Sequence, residues 1–319
     1  MHTDYPIAYA AYNNNIDIRM VSTSGGVFTV IAEHLIKTKN AVVYGASFDG
    51  SFNVKHVRID SCEDLACLRG SKYPQSTIGM CFKMAKQDLE SGRFVLFVGT
   101  PCQIAGLKCF LNNDYDNLYT MDFVCHGVAS DLVWRGYVEE LGKRGKITNI
   151  IFKYKYKGWK KWYFRVEYEN GFRQRRGHMT KFMHSYLSYA NIRPSCYECR
   201  FKGLNHISDF TISDCWGIAE QDKEINDNLG LSALLVQNTR AEKLFDSIVS
   251  ELTVKKYDAK KLMEGNWTAF KCVSRPSIRD KFFFMVKEKS VSEALKTCFA
   301  PSAKQWAVYY IQRLIGKEK

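Results

Sequence analysis

The sequence has no long apolar run. None of its hydrophobic stretches approaches the roughly 18–20 residues of a membrane-spanning helix, which argues against an integral membrane protein. Met1–Pro6 shows no basic region followed by an apolar stretch, so we find no secretory signal peptide. The glycine-bearing loop Ser22–Gly26 lacks both the Gly-Lys-Ser/Thr of a Walker loop and the G-x-G-x-x-G of a dinucleotide fold. These absences favour a cytoplasmic protein.

Cysteine is plentiful by contrast, with 11 residues in 319. Without a signal peptide the thiols are expected to stay reduced, so disulfides explain them poorly. The formal net charge of +13 favours an anionic partner, such as a phosphorylated cofactor or an acidic carrier. This charge is spread along the chain, so we expect no specific nucleic-acid binding. The basic, aromatic tail from Phe299 predicts a terminal helix docked on its own domain, with peripheral membrane contact as the alternative.

The first part of the chain alternates strands with helices. Ala41–Phe48, Phe94–Val98 and Leu118–Val124 read as strands, with helices after them. Beyond Gly145 the residues alternate like half-exposed strands, and Asn170-Gly171 predicts a hairpin turn. The fold class is therefore mixed α/β: an α/β core with an antiparallel β insertion and a C-terminal helical region. The expected regions are a core at 1–145, an insertion at 146–190, a cysteine-bearing loop and return to the core at 191–255, and a helical region at 256–319.

Four cysteines lie at the ends of predicted elements. Cys102 is expected as the second residue of a helix, where first-turn N–H groups stabilise a thiolate. That position suits a cluster ligand or a nucleophile, and a small buried residue equally well. Cys125 follows a strand, in Cys-His-Gly. Cys196 and Cys199 form a C-x-x-C pair, whose two sulfurs can face one metal.

The spacing of these cysteines distinguishes the possible centres only in part. Zinc bound by four cysteines usually shows two closely spaced pairs, whereas Cys102 and Cys125 are 23 positions apart. An iron–sulfur cluster held by several loops therefore fits better than a zinc ribbon, and a redox disulfide stays an alternative. The remaining cysteines are interpreted as packing residues.

Several other loops carry polar groups suited to a cofactor. Ser22–Gly26 opens a helix and offers free N–H groups, although an ordinary N-cap explains it as well. Leu68–Ser76 concentrates a cation, hydroxyls and an amide, and can bind a diphosphate or the edge of a flavin. Asp214 ends a strand and can orient a hydroxyl, move a proton or merely cap a turn. His126 is a candidate proton donor or a structural histidine.

Together these runs resemble the beta subunit family of coenzyme F-420 hydrogenases and dehydrogenases. The most specific matches surround Cys102 and the C-x-x-C pair. The matching stretches are Ser24–Thr29, Tyr44–Asp49, Leu68–Tyr73, Gly99–Leu107, Asp122–Gly127, Arg193–Lys202 and Ser208–Gly217.

The resemblance implies FAD and a nearby 4Fe-4S cluster, with hydride or electron transfer to a second carrier, coenzyme F-420 or another acceptor. By position it implies Cys102, Cys125, Cys196 and Cys199 as cluster ligands. The implied flavin contacts are Ser24, Gly25, Gly26, Gly70, Ser71, Lys72, Tyr73, Gln75, Thr100, Pro101 and Gln103. The candidate catalytic residues are Lys72, His126 and Asp214.

The sequence departs from the family pattern at two points. Many relatives carry an N-terminal ferredoxin-like segment with its own cysteines. Here the first cysteine is Cys62, so we expect electrons from a separate protein or from substrate. Pro74 stands where relatives more often have an apolar β-branched residue. Related bacterial proteins suggest a role in surface-polysaccharide biosynthesis.

We therefore expect a cytoplasmic flavin and iron–sulfur oxidoreductase. The first alternative is a zinc-stabilised binding or scaffold protein of a glycan-assembly complex. The second is a transferase with Cys102 as its nucleophile.

Overall fold

The structure is a computed structural model that describes residues 4–302 and residue 307. The chain folds into two compact units. The first comprises Met1–His126 and Glu198–Cys272, and the second comprises Gly127–Tyr197 and Val273–Lys319. The predicted division at residues 145, 190 and 255 stays a prediction. The predicted tail helix falls almost wholly outside the described residues.

The first unit is built on a mixed eight-stranded sheet in the described part of the chain. The strands are β1 (Ile7–Asn13), β2 (Val42–Phe48), β3 (Val54–Ile59), β4 (Val95–Val98), β5 (Leu118–Phe123), β9 (Phe210–Asp214), β10 (Ser232–Val236) and β11 (Leu252–Tyr257). Their order across the sheet is β11-β1-β10-β9-β5-β4-β2-β3.

Four neighbouring strands of this sheet run in one direction. β2 pairs with β4, β4 with β5, and β5 with β9, each in parallel register. β10 is antiparallel to β9, so its first residue lies at the edge where β9 ends. We call this edge, where β2, β4, β5 and β9 end, the carboxyl edge. In open α/β sheets it is the usual place for a ligand site.

Helices cover both faces of the sheet. They are α1 (Ile16–Val21), α2 (Val27–Lys39), α3 (Leu65–Leu68), α4 (Cys81–Glu90), α5 (Pro101–Leu111), α8 (Ile218–Gln221), α9 (Thr239–Ile248) and α10 (Ala259–Met263). One face packs α2 and α9 through Ile31, Leu35 and Leu244, and the other packs α4 and α5 through Leu89 and Leu107. Every one of these side chains is at most 6% exposed, so apolar burial is the main contribution to the sheet's stability.

The second unit packs helices and a three-stranded antiparallel sheet around aromatic side chains. Trp134 contacts Phe152 and Phe182 at ring-centroid distances of 5.1 and 4.9 Å, and all three are buried. The predicted hairpin at Asn170-Gly171 is confirmed, since Tyr168 pairs with Gly171. The elements are α6 (Asp131–Gly142), β6 (Ile147–Tyr154), β7 (Tyr163–Tyr168), β8 (Gly171–Arg176), α7 (Lys181–Leu187), α11 (Ile278–Glu288) and α12 (Val291–Phe299).

The predicted fold class, a mixed α/β core with a separate antiparallel sheet, is confirmed. Among the described residues, none of the helices combines the length and apolar character needed to cross a bilayer.

Candidate functional site

Three of the predicted flavin and cluster loops lie at the carboxyl edge. Thr100 follows β4, Cys125 follows β5, and Asp214 is the last residue of β9. Because these strands are parallel neighbours, their ends lie side by side. The sheet topology therefore gathers residues that are more than 100 positions apart in sequence.

The loop Ser22–Gly26 contacts the loop Leu68–Tyr73. Thr23 Oγ1 accepts hydrogen bonds from the backbone N–H of Ser71 at 2.7 Å and from Ser71 Oγ at 3.1 Å. These bonds fix the two loops together, so two sets of predicted flavin contacts share one place in the fold.

Gly25 owes its place to close backbone packing. A Cβ there would lie 2.4 Å from Ala11 O and 2.9 Å from Ser232 N. Its N–H donates to Ser232 Oγ at 2.9 Å, and its carbonyl accepts from Asn13 N at 2.7 Å. Only glycine lets the loop approach the sheet this closely. Gly26 then caps α2 with φ +83°, a left-handed conformation.

Asp214 and Ser24 come together in the folded chain. The Ser24 hydroxyl donates to the Asp214 carboxylate, and Asn266 Nδ2 donates to the Asp214 carbonyl oxygen at 2.8 Å. A predicted catalytic residue therefore contacts a predicted flavin-binding residue. The carboxylate fixes the Ser24 side chain at the start of α2.

Lys72 folds back on its own loop. Its Nζ donates to the carbonyl oxygens of Arg69 at 3.0 Å and Gly70 at 3.3 Å, and lies 5.9 Å from the centre of the Phe48 ring. Burial lowers the pKa of Lys72 to about 8. The side chain can therefore hold or release a proton near neutral pH. Gly70 has φ +80°, which makes this turn possible.

The loop after β4 caps α5 as its sequence predicts. Gln103 Oε1 accepts from the N–H of Thr100 at 2.9 Å, and Gln103 Nε2 donates to Ser76 Oγ at 2.9 Å. This side chain therefore joins the Thr100 loop to the segment that carries Tyr73 and Gln75. Pro101 is the first residue of the helix and is buried.

Cys102 and Cys125 are both reachable side chains near the carboxyl edge. Cys102 is exposed in the first turn of α5, with its Sγ 3.1 Å from Thr100 Oγ1. Cys125 is half-buried, and His126, also half-buried, follows it. Cys199 is half-buried too, and its carbonyl oxygen accepts from Cys272 Sγ at 3.1 Å. These three cysteines belong to the first unit.

Cys196 belongs to the second unit, because the boundary falls between Tyr197 and Glu198. Its backbone N–H donates to Arg193 O at 2.9 Å. A Cβ added to Gly127, which has φ +113°, would lie 3.2 Å from the Cys196 Cβ. The chain before Cys196 is therefore tightly packed on its own unit.

Arg279 holds this part of the second unit. Its Nη1 donates to Ala190 O and Ile192 O, both at 2.7 Å, and to the Tyr197 hydroxyl at 3.1 Å. The guanidinium is also 4.5 Å from the centre of the Phe283 ring. Arg279 is 7% exposed, so a single buried cation satisfies several backbone acceptors.

No group of three or more His, Cys, Asp and Glu side chains within residues 4–302 forms a ready-made metal site. All eleven cysteines are reduced thiols. The donor set still has the right chemistry, because four reduced thiols can each become a thiolate ligand. The four-cysteine ligand set stays a prediction.

Sequence reasoning missed Lys202. Its Nζ donates to Cys125 O at 2.7 Å and to Thr268 O at 2.8 Å. The available signal was its position, three residues after Cys199.

It also missed the buried pair of His206 and Asp122. His206 Nδ1 lies 2.7 Å from the Asp122 carboxylate, which also accepts from Thr211 Oγ1 at 2.7 Å and is 0% exposed. Burial opposes the imidazolium, but the carboxylate outweighs burial and the pKa of His206 is raised. An aspartate inside the apolar strand β5 was the sequence signal for a buried partner.

His56 behaves in the opposite way. Its Nε2 lies 2.9 Å from Val98 O, and its buried Nδ1 has no hydrogen-bond partner among the described residues. Burial lowers the pKa of His56 to about 4, so the ring is neutral at neutral pH.

A cavity of about 360 Å³ lies elsewhere in the first unit. It is lined by residues of α8, β11 and α10 and their flanks, including Asp222, Lys255 and Tyr257. None of its lining residues belongs to the predicted flavin or cluster set.

Comparison with known proteins agrees with this geometry. Residues 92–260 match a family described as the C terminus of the coenzyme F420 hydrogenase/dehydrogenase beta subunit. The fold is similar to a chain of the F420-reducing NiFe hydrogenase complex from Methanosarcina barkeri, solved as a xenon derivative, with a TM-score of 0.56 and 15% identity. The similarity covers 90% of this chain and 97% of that one. A search of curated proteins finds no match.

The structural match assigns the fold class: this is a mixed α/β protein with a fold similar to that of a chain in a hydrogenase complex. The family match spans more than half of the sequence. The chain belongs to the coenzyme F-420 hydrogenase/dehydrogenase beta subunit family, and it is a redox protein of that type.

Proposed function

We propose that this protein is a flavin- and iron–sulfur-dependent oxidoreductase that moves electrons between FAD and a second carrier. The observation that carries the proposal is the meeting of the Ser22–Gly26, Leu68–Ser76 and Thr100–Gln103 segments around one sheet edge. Their links to each other are specific side-chain hydrogen bonds. Binding and catalytic residues often lie on loops that a rigid scaffold holds in place, and the sheet holds these loops in that way.

For the flavin, these loops offer hydroxyls, backbone N–H groups and one cation. The ring of bound FAD supplies two-electron and one-electron chemistry. Ser24 and Ser71 are held in place by Asp214 and Thr23, which orients their hydroxyls before a ligand arrives. Gly70 leaves open space beside the backbone, since a Cβ there would meet no atom of the described residues within 4 Å.

For proton handling, Lys72 is the strongest of the three catalytic candidates. Its lowered pKa, about 8, lets the amine exist in both protonation states near neutral pH. Asp214 is bound to the Ser24 hydroxyl and serves better as an orienting group. His126 adjoins Cys125 and is the candidate proton donor on the cluster side.

For the 4Fe-4S cluster, we propose Cys102, Cys125, Cys196 and Cys199 as ligands. Such a centre passes single electrons. Cys102 lies exposed in the first turn of α5, where its sulfur can be reached. The half-buried positions of Cys125 and Cys199 limit the access of water to their sulfurs.

The second carrier is an anionic redox coenzyme, coenzyme F-420 or another acceptor, or a partner protein. The net charge of +13 favours the approach of either. The similar solved chain comes from a hydrogenase complex, which supports an electron-donating or electron-accepting partner here. A cytoplasmic location and service to surface-polysaccharide biosynthesis stay predictions.

Anaerobic purification followed by iron, sulfide, flavin and zinc analysis tests the proposal. We expect about four iron and four sulfide atoms and one FAD per chain. The Cys199→Ser variant should lose most of its iron, whereas Cys109→Ser, a matched change of an exposed cysteine outside the ligand set, should keep it.

A colourless protein with stoichiometric zinc would overturn the redox proposal. Undiminished iron in Cys199→Ser would overturn the ligand set alone. The Ser71→Asp variant places a carboxylate where the proposed FAD phosphates bind, so it should lose flavin and keep its iron. That result would show that the FAD site and the cluster site are distinct.

A further inference from the structure

The segment after the C-x-x-C pair is fixed to the end of β5 by one ammonium group. Lys202 Nζ donates to the carbonyl oxygen of Cys125 at 2.7 Å and to that of Thr268 at 2.8 Å. Thr268 is buried and Lys202 is half-buried. One side chain therefore ties a predicted cluster ligand, Cys125, to Thr268, 143 positions later in the sequence.

The backbone around Lys202 is held as well. Gly203 N donates to Ala269 O at 2.7 Å, and Cys272 Sγ donates to Cys199 O at 3.1 Å. Residues 199–203 thus lie along residues 268–272 with contacts at both ends. The paired backbone keeps Lys202 beside its two acceptors, and moving its ammonium away would break both carbonyl hydrogen bonds.

The two carbonyl oxygens require only hydrogen-bond donors, not a positive charge. A neutral donor would satisfy both oxygens, whereas a lysine adds a full positive charge next to Cys125. Four thiolates give an iron–sulfur centre negative charge, and each reduction adds one more. A fixed positive charge nearby stabilises the reduced form more than the oxidised form.

We propose that Lys202 is a positioning residue for the iron–sulfur centre: it fixes the Cys199 segment against the end of β5, and its charge raises the reduction potential of the centre. This inference rests on the proposed function. It assigns Lys202 no contact with substrate and no proton transfer.

The test compares the full-length wild type with Lys202→Met, Lys202→Arg and the control Arg200→Met. Arg200 is exposed on the same segment, so its loss removes an equal charge without breaking the two carbonyl bonds. A redox titration followed by electron paramagnetic resonance gives the midpoint potential. We expect a more negative potential for Lys202→Met, little change for Lys202→Arg, and a smaller shift for Arg200→Met.

Iron retention against a chelator gives a second readout. Outer contacts of metal ligands typically change affinity by roughly 10–100-fold, and we expect Lys202→Met to lose iron correspondingly faster. An unchanged potential together with unchanged iron retention in Lys202→Met would overturn the inference.

A third measurement needs no bound metal. In protein freed of iron, Cys199 should be alkylated faster in Lys202→Met than in wild type, with exposed Cys109 as the internal reference. Equal alkylation rates would overturn the positioning role. Faster alkylation of buried Cys215 as well would show that Lys202→Met is partly unfolded. In that case the alkylation rate of Cys199 in Lys202→Arg is compared with wild type, and equal rates support the positioning role.

These outcomes separate the two proposals. Wild-type protein that binds no iron after anaerobic reconstitution contradicts the proposed function. Wild-type protein with a normal cluster and an indifferent Lys202→Met contradicts only the role of Lys202.

Discussion

Two cations, one in each unit, bind backbone carbonyl groups near the C-x-x-C sequence, and the segments that they bind differ. Arg279, in the second unit, is 7% exposed and donates to Ala190 O, Ile192 O and the Tyr197 hydroxyl. Lys202, in the first unit, is half-buried and donates to the carbonyl of a predicted ligand. One nitrogen of the Arg279 guanidinium makes all three bonds within the second unit, whereas the Lys202 ammonium is a compact point charge beside a predicted ligand.

The difference separates stability from function. Removing Arg279 leaves buried carbonyl groups without a donor, which is costly for folding. Lys202 is only half-buried, so its removal should cost less stability, although the carbonyl oxygen of buried Thr268 then loses this donor. The first change should therefore be seen in unfolding experiments, and the second in the properties of the redox centre.

The largest expected effect is that of Arg279→Met. The variant leaves two buried carbonyl oxygens unsatisfied and should lower the free energy of unfolding by about 3 kcal/mol. Urea unfolding followed by circular dichroism measures it. The control Arg275→Met removes a guanidinium that is 57% exposed and should change stability by less than about 0.5 kcal/mol. Equal losses of stability in the two variants would contradict a stabilising role for the Arg279 hydrogen bonds.

A smaller effect is expected for Gly127→Ala. Gly127 has φ +113°, and a Cβ would lie 3.0 Å from Ile192 Cδ1 and 3.2 Å from Cys196 Cβ. Strain and crowding should together lower stability by about 2 kcal/mol. Gly142→Ala is the matched control, since a Cβ there meets no atom of the described residues within 4 Å and should be neutral or mildly stabilising. A tolerated alanine at 127 would show that the Cys196 loop adjusts freely.

The smallest expected effect is a pH-dependent change in stability at His206, which belongs to the first unit, as Lys202 does. The pKa of His206 is raised from 6.5, so its stabilising pair with Asp122 is complete below pH 6.5 and disappears as the pH rises through the raised pKa. The stability difference between wild type and His206→Gln should therefore be larger at pH 6.5 than at pH 9. Denaturant unfolding at both pH values measures it, and a constant difference would disprove the charged pair.

His56→Gln is the control for that experiment. Its pKa is lowered to about 4, so the ring is neutral above pH 6.5 in the folded chain. Between pH 9 and pH 6.5 the wild type should lose only about 0.4 kcal/mol relative to this variant, because half of the unfolded rings are protonated at pH 6.5. The effect of His56 is opposite to that of His206. Because its folded pKa is lowered, the wild type loses stability relative to His56→Gln as the pH falls from 6.5 toward 4.

Local sequence predicted the elements that depend on local signals. The helix after Thr100 and the hairpin at Asn170-Gly171 follow from a cap and a turn, and both formed as expected. The strands β1 and β11 were not predicted. Each depends on pairing with the other across more than 230 residues, and no local pattern reveals such a partner.

The same limit applies to the candidate site. The loops of Ser24, Ser71 and Gln103 were predicted singly, but the bonds that join them depend on the parallel strand order. Lys202 and His206 were missed because their partners lie far away in sequence. Lys202 bonds Cys125 and Thr268, and His206 pairs with Asp122 on β5. Charged residues need their tertiary partners to be interpreted, whereas apolar periodicity does not.

The placement of β1 has a consequence for how the chain is made. β1 precedes every other strand of the described residues, yet it lies inside the sheet between β10 and β11. Its two neighbours leave the ribosome more than 220 residues later, so both sides of β1 wait unpaired while most of the chain is translated. Nascent chains of this protein should thus depend on chaperones that mask open strand edges until residue 257 has emerged.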